Sequence, residues 1–85
     1  MNVAESIKDI LAADIFVEVP PDEMDEDDSL RDVFGLDSVG FVELRVQCQN
    51  RFGVTISTDD FTPENFATIG SVCALVERLR QSQAQ

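Results

Sequence analysis

Apolar residues recur along this chain at helical rather than strand spacing. Val3, Ile7, Ile10, Leu11 and Ile15 share one side of a predicted first helix, with Lys8 and Asp9 between them and Asn2 placed as its cap. Pro20 and Pro21 end that pattern, because proline lacks an amide donor and keeps the preceding residue out of the α region. A second helix is predicted from Ser38 to Phe52, with Gly53 standing where a C′ glycine would close it. A last helix begins near Thr68 and carries Ile69, Val72, Cys73, Val76 and Leu79 on one side. Arg78 and Arg80 lie toward its C-terminal end, where the helix dipole favours cations. Between these two helices the stretch from Ser57 to Phe66 is short and broken; Thr62 before Pro63 reads as a cap and first-turn pair, predicting one or two turns. Residues 82–85 are expected to fray.

The second helix carries two stripes. Phe41, Leu44, Cys48 and Phe52 form one; Val39, Val42 and Val46 form the other, offset by two positions. At about 100° per residue the stripes face nearly opposite directions. One can enter a core, and the other must meet a loop or another protein.

A loop from about 18 to 37 joins the first two helices. It holds Asp22, Glu23, Asp25, Glu26, Asp27, Asp28 and Asp32, and its second half adds Leu30, Val33, Phe34 and Leu36. So long a connection is unusual in a compact domain unless it is functional or contains a helical turn. The apolar residues predict a loop pinned to the core. With 85 residues and 44% hydrophobic content, the chain can build one small core and is expected to form a single domain over residues 1–85. The predicted core is Ile7, Ile10, Leu11, Phe34, Leu44, Phe52, Ile56, Ile69, Val72, Val76 and Leu79.

Charge narrows the functional classes. Seventeen acidic residues against six basic ones give a net charge of −11, which repels nucleic acid and anionic membranes and attracts basic protein surfaces. No stretch approaches the roughly 20 apolar residues that span a bilayer, and no secretory leader is visible, so a soluble cytoplasmic protein is expected. Cys48 and Cys73 sit inside apolar helical patterns and read as buried free thiols.

The run Gly35-Leu36-Asp37-Ser38-Val39 stands where the long loop becomes the second helix. On the dipeptide alone, Asp37 or Ser38 simply caps that helix. Its surroundings are more specific: Ser29-Leu30 through Phe34-Gly35 before it, Val42-Glu43-Leu44 after it, then Phe52-Gly53-Val54-Thr55-Ile56, and Thr68-Ile69 opening the last helix. Over nearly its whole length the chain resembles the acyl carrier proteins. The resemblance implies an all-α four-helix bundle of three longer helices and one short one. It also implies a 4′-phosphopantetheine group, moved from coenzyme A onto the Ser38 hydroxyl by a phosphopantetheinyl transferase.

Asp37 is placed to cap the helix and, by the same resemblance, helps orient the transferase or its metal. Val39, Val42 and Val46 fall where the family makes apolar contacts with partner enzymes, although such a stripe is as readily core. Glu43 matches an acidic docking position and is expected to be exposed; a solvated helix residue is the plain alternative. The partners implied are acyl-loading, synthase and other pathway enzymes with basic docking surfaces, acting on a monomeric carrier.

The chain departs from the best-known fatty-acid carriers. Late in the second helix, where those often place carboxylates, stand Gln49, Asn50 and Arg51, with Arg45 earlier and Gly40 just after the serine. Asp-Ser-Val and a weakly charged helix look more like discrete carriers of polyketide or other specialised pathways, carriers of small units such as glyceryl among them. A housekeeping fatty-acid carrier is the alternative within the family. The ends of the chain favour a free-standing carrier over a piece of a larger synthase.

Two other classes fit less well. An independent enzyme lacks a base: the chain has no histidine, no glycine-rich phosphate loop, and nothing visibly paired with Ser38, Cys48 or Cys73. No metal site is expected either, since Leu30 replaces the turn glycine and Leu36 the closing glutamate of a calcium loop starting at Asp25. A helical interaction module with no prosthetic group shares the acidic surface, and modification of Ser38 separates it from a carrier.

Overall fold

A computed structural model describes residues 2–83. Among them are three α-helices and no strand: α1 (Val3–Asp9), α2 (Ser38–Phe52) and α3 (Ile69–Gln83). The Asn2 side chain caps α1, its Oδ1 accepting from Ala4 N at 2.9 Å. Past Asp9 the helix widens into a π-helical turn, Ile10–Asp14, in which Ile15 N donates to Ile10 O at 3.1 Å. The first helix therefore ends at Phe16, whose φ is 64°, and not at the prolines. Pro21–Glu23 form a 3-10 turn further along the loop.

The loop is pinned as expected, by buried Met24, Leu30, Phe34 and Leu36; Val33 faces outward. Its backbone is tied to the start of α3, where Leu30 N donates to Ala67 O and Gly70 N to Glu26 O at 3.0 and 2.9 Å, with an isolated bridge between Ser29 and Thr68. Gly70 permits this approach: a Cβ there would stand 3.3 Å from the Glu26 carbonyl oxygen. Thr68 Oγ1 accepts from Ser71 N at 3.0 Å and caps α3.

At the far end of α2, Gly53 takes the left-handed conformation with φ 66° and its N–H closes on Gln49 O. The extended stretch that follows buries Val54 and Ile56 and exposes Thr55. It has no strand beside it, so side chains satisfy its backbone. Gln49 Oε1 accepts from Ile56 N at 2.8 Å, and Arg45 Nε donates to Ile56 O at 2.9 Å. Gln83 both accepts from Thr55 N and donates to Thr55 O, at 2.9 and 3.0 Å. Ser82 and Gln83, expected to fray, are thus helical, and Gln83 is anchored; residues 84 and 85 of the expected frayed tail lie outside the described residues.

The short fourth helix takes the form of two hydrogen-bonded turns. Phe61 N reaches Ser57 O, and Phe66 N reaches Thr62 O, with Thr62 Oγ1 accepting from Asn65 N. One cluster of buried residues unites the three helices, the π turn and the loops between them. It contains the predicted core residues except Phe52, which is only half-buried because α2 is ending there. It adds Val3, Ala4, Met24, Leu30, Leu36, Cys48, Val54, Phe66, Cys73 and Leu75.

Candidate functional site

The two stripes of α2 separate as their spacing requires. Leu44 and Cys48 are fully buried and Phe41 and Phe52 half-buried, whereas Val39, Val42 and Val46 are 76%, 51% and 40% exposed. The valine stripe is an open apolar strip. Glu43 beside it is half-buried, not exposed as expected: its Oε2 accepts from Gln47 Nε2 at 2.7 Å one turn on, which draws the carboxylate along the helix.

The strip begins at the loop-to-helix junction. Ser29 winds the preceding loop, its Oγ accepting from Asp32 N at 3.0 Å and its carbonyl from Val33 N at 2.9 Å. Leu36 then drops into the core, and its N–H donates to Leu30 O. Asp37 is extended (φ −105°, ψ −171°) and caps α2, Oδ1 accepting from Gly40 N at 2.9 Å. Ser38 is the first residue of the 15-residue helix and its side chain is exposed. An anion carried on that hydroxyl would sit at the positive end of the helix dipole, near first-turn amides.

Next to Ser38 opens a cleft of about 490 Å³ walled by Phe41, Val42, Phe61 and Phe66, with Arg31 at its edge. Phe61 is held edge-on to Phe66, ring centroids 4.9 Å apart, and the Arg45 guanidinium lies 5.1 Å from its centroid. Arg31, Phe61 and Phe66 were not legible as site residues. The two aromatics fall in the broken stretch after α2, where no periodicity points to a face.

The hydroxyl is thus presented to chemistry supplied from outside. Cys48 and Cys73 are free and buried, away from the surface. Among the described residues no group of three or more acidic or sulfur ligands is arranged for a metal ion, and no helix is long and apolar enough to cross a membrane.

Residues 5–76 match the family described as Phosphopantetheine attachment site. The chain is 37% identical over 79 residues to a D-alanyl carrier protein of Streptococcus suis, covering 93% of this chain and 96% of the relative. The solution structure of a holo acyl carrier protein from Nitrosomonas europaea superposes with a TM-score of 0.79 at 22% identity, covering 96% of this chain and 99% of that one, which shows the fold. A chain in the crystal structure of Bradyrhizobium japonicum glycine:[carrier protein] ligase complexed with glycylated carrier protein matches at 26% identity. Its TM-score is 0.63, with 91% of this chain and 92% of that chain covered. The match across most of the chain makes this protein a member of the phosphopantetheine-attachment family, a non-catalytic carrier bearing a phosphopantetheine group.

Proposed function

We propose that Ser38 is the attachment residue and that residues 1–85 act as one acyl carrier domain. The observation carrying this reading is the exposed serine at the first position of α2 beside an apolar cleft. When attached, the group supplies a flexible arm whose terminal thiol holds an acyl unit as a thioester. The chain's own residues hold and present it. Asp37 fixes the helix start so that the hydroxyl projects outward, the first-turn amides and dipole favour the phosphodiester charge, and Arg31 adds a cation on the cleft edge.

The cargo we infer is a small acyl or aminoacyl unit, handled in a specialised pathway such as polyketide assembly in preference to housekeeping fatty-acid synthesis. Relatives named for D-alanyl and glycyl carriage support a small unit. Val39, Val42, Val46 and Glu43 form the docking face for a phosphopantetheinyl transferase and for loading and pathway enzymes with basic surfaces, encountered in the cytoplasm. Charge steers those encounters and keeps them brief.

Incubation with coenzyme A and a broad-specificity phosphopantetheinyl transferase should add the mass of one phosphopantetheine. Ser38→Ala should take up none and should unfold within about 0.5 kcal/mol of wild type, because the position is exposed. Mass gain in that variant, or none in wild type with a competent transferase, would reject Ser38. Intact mass of the protein from its native host would identify the cargo; a long unsubstituted fatty chain would remove the small-unit reading.

A further inference from the structure

Helix α1 and its π turn end in a closure whose ordinary occupant is glycine. Val17 N donates to Leu11 O at 2.9 Å, six residues back, and the residue between helix and exit, Phe16, is left-handed with φ 64°. That conformation crowds any side chain with a Cβ. Phe16 is nonetheless large and 79% exposed, so neither the backbone nor the core accounts for it. Strain held by a side chain that gives nothing to the fold points to use at a surface.

Phe16 stands on a groove of about 790 Å³ between the end of the first helix and the start of α2, and Val33, half-exposed, and Val39 share its lining. Four carboxylates, Asp14, Glu18, Asp37 and Glu43, line it too, and among the described residues no basic side chain does; only Asp14 has a nearby cation, Arg51 at 3.9 Å. The groove is continuous with the valine strip through Val39 and Glu43.

We propose that this groove is a second docking site, filled by a segment of a partner enzyme that presents one apolar side chain between lysines or arginines. Phe16 is its anchor and the carboxylates set the charge of what enters. A second copy of the chain, at a net charge of −11, is electrostatically the wrong occupant. Only the partner's class, an enzyme acting on the carrier, rests on the function proposed above.

The test uses the ¹⁵N-labelled full chain and short peptides with a single central leucine between lysine pairs. Saturable amide shifts should appear at positions 16, 33, 39 and 40, weakened by added salt. Phe16→Gly keeps the left-handed backbone and removes the anchor; it should bind about tenfold more weakly, as loss of a hot-spot side chain does, and should melt no lower than wild type. A serine-centred peptide should bind weakly and without saturation at these positions. Equal affinity of Phe16→Gly, equal binding of the serine peptide, absence of saturable shifts, a lowered melting temperature or a Phe16-dependent dimer in sedimentation would each overturn the proposal. Mass gain on Ser38, read in the same samples, judges the carrier reading separately: its absence removes that reading and leaves the groove to the peptide titration.

Discussion

Cys48 and Cys73 lie in the interior of the bundle, where neither meets solvent freely. Burial pushes the Cys48 thiol up to about 12, reinforced by the neighbouring Cys73, and pushes Cys73 up to about 11, reinforced by Glu26 and Glu77. In the unfolded chain both thiols ionise near their ordinary 9.0. Above that pH the unfolded state binds fewer protons than the folded one. Stability from this source is therefore complete below about pH 9 and falls as pH rises toward 11 to 12. The chain has no tyrosine and a single lysine, Lys8, so the thiols dominate that window. Melting temperatures measured from pH 8 to 11 should decline, and Cys48→Ala should decline less steeply. A flat profile in wild type would mean that the thiolates are not penalised by folding.

At the scale of elements, the stretch after α2 shows how a segment without a sheet is kept in place. Ile56 is fully buried, and its N–H and carbonyl depend on Gln49 and Arg45. Gln49→Ala leaves a buried N–H without a partner and should cost about 1–3 kcal/mol in urea unfolding; Gln49→Glu, which keeps an acceptor oxygen, should recover most of it. Loss below about 0.5 kcal/mol in the alanine variant would mean that water replaces the side chain. The same residues mark the border of what was legible in the sequence. Helical spacing located α2 and α3, the Asn2 and Asp37 caps and the Gly53 stop, because each is a local pattern. Gln49 and Arg45 read only as missing acidity, since their partner lies across a turn and no periodicity links them. Likewise Phe16 hid behind Ile15: the apolar pattern ran past it to the prolines, while the π turn closed the helix early. The place of Ser38 as the first residue of α2 was legible through its spacing to both flanking helices, but the aromatic wall beside it was not.

For the molecule as a whole, charge acts in opposite senses on folding and on docking. Seventeen carboxylates share a body of 11.7 Å radius of gyration with six cations. The ion pairs Lys8–Glu5, Arg51–Asp14 and Arg78–Asp60, at 3.6 to 3.9 Å, are at least partly solvated and worth little each. Most carboxylates therefore repel one another over distances comparable with the roughly 10 Å Debye length of 0.1 M salt. Screening should stabilise the fold. Relief of about 1 kcal/mol would raise the melting temperature by about 4–8 °C in a domain of this size, and a rise of that order is expected between low and half-molar sodium chloride. Docking of a basic partner depends on the same field with the sign reversed, so its association rate should fall over the same salt series. A melting temperature that dropped steadily with salt would show that attraction, not repulsion, dominates the folded charge pattern, and a salt-independent association rate would show that the acidic surface does not steer partners.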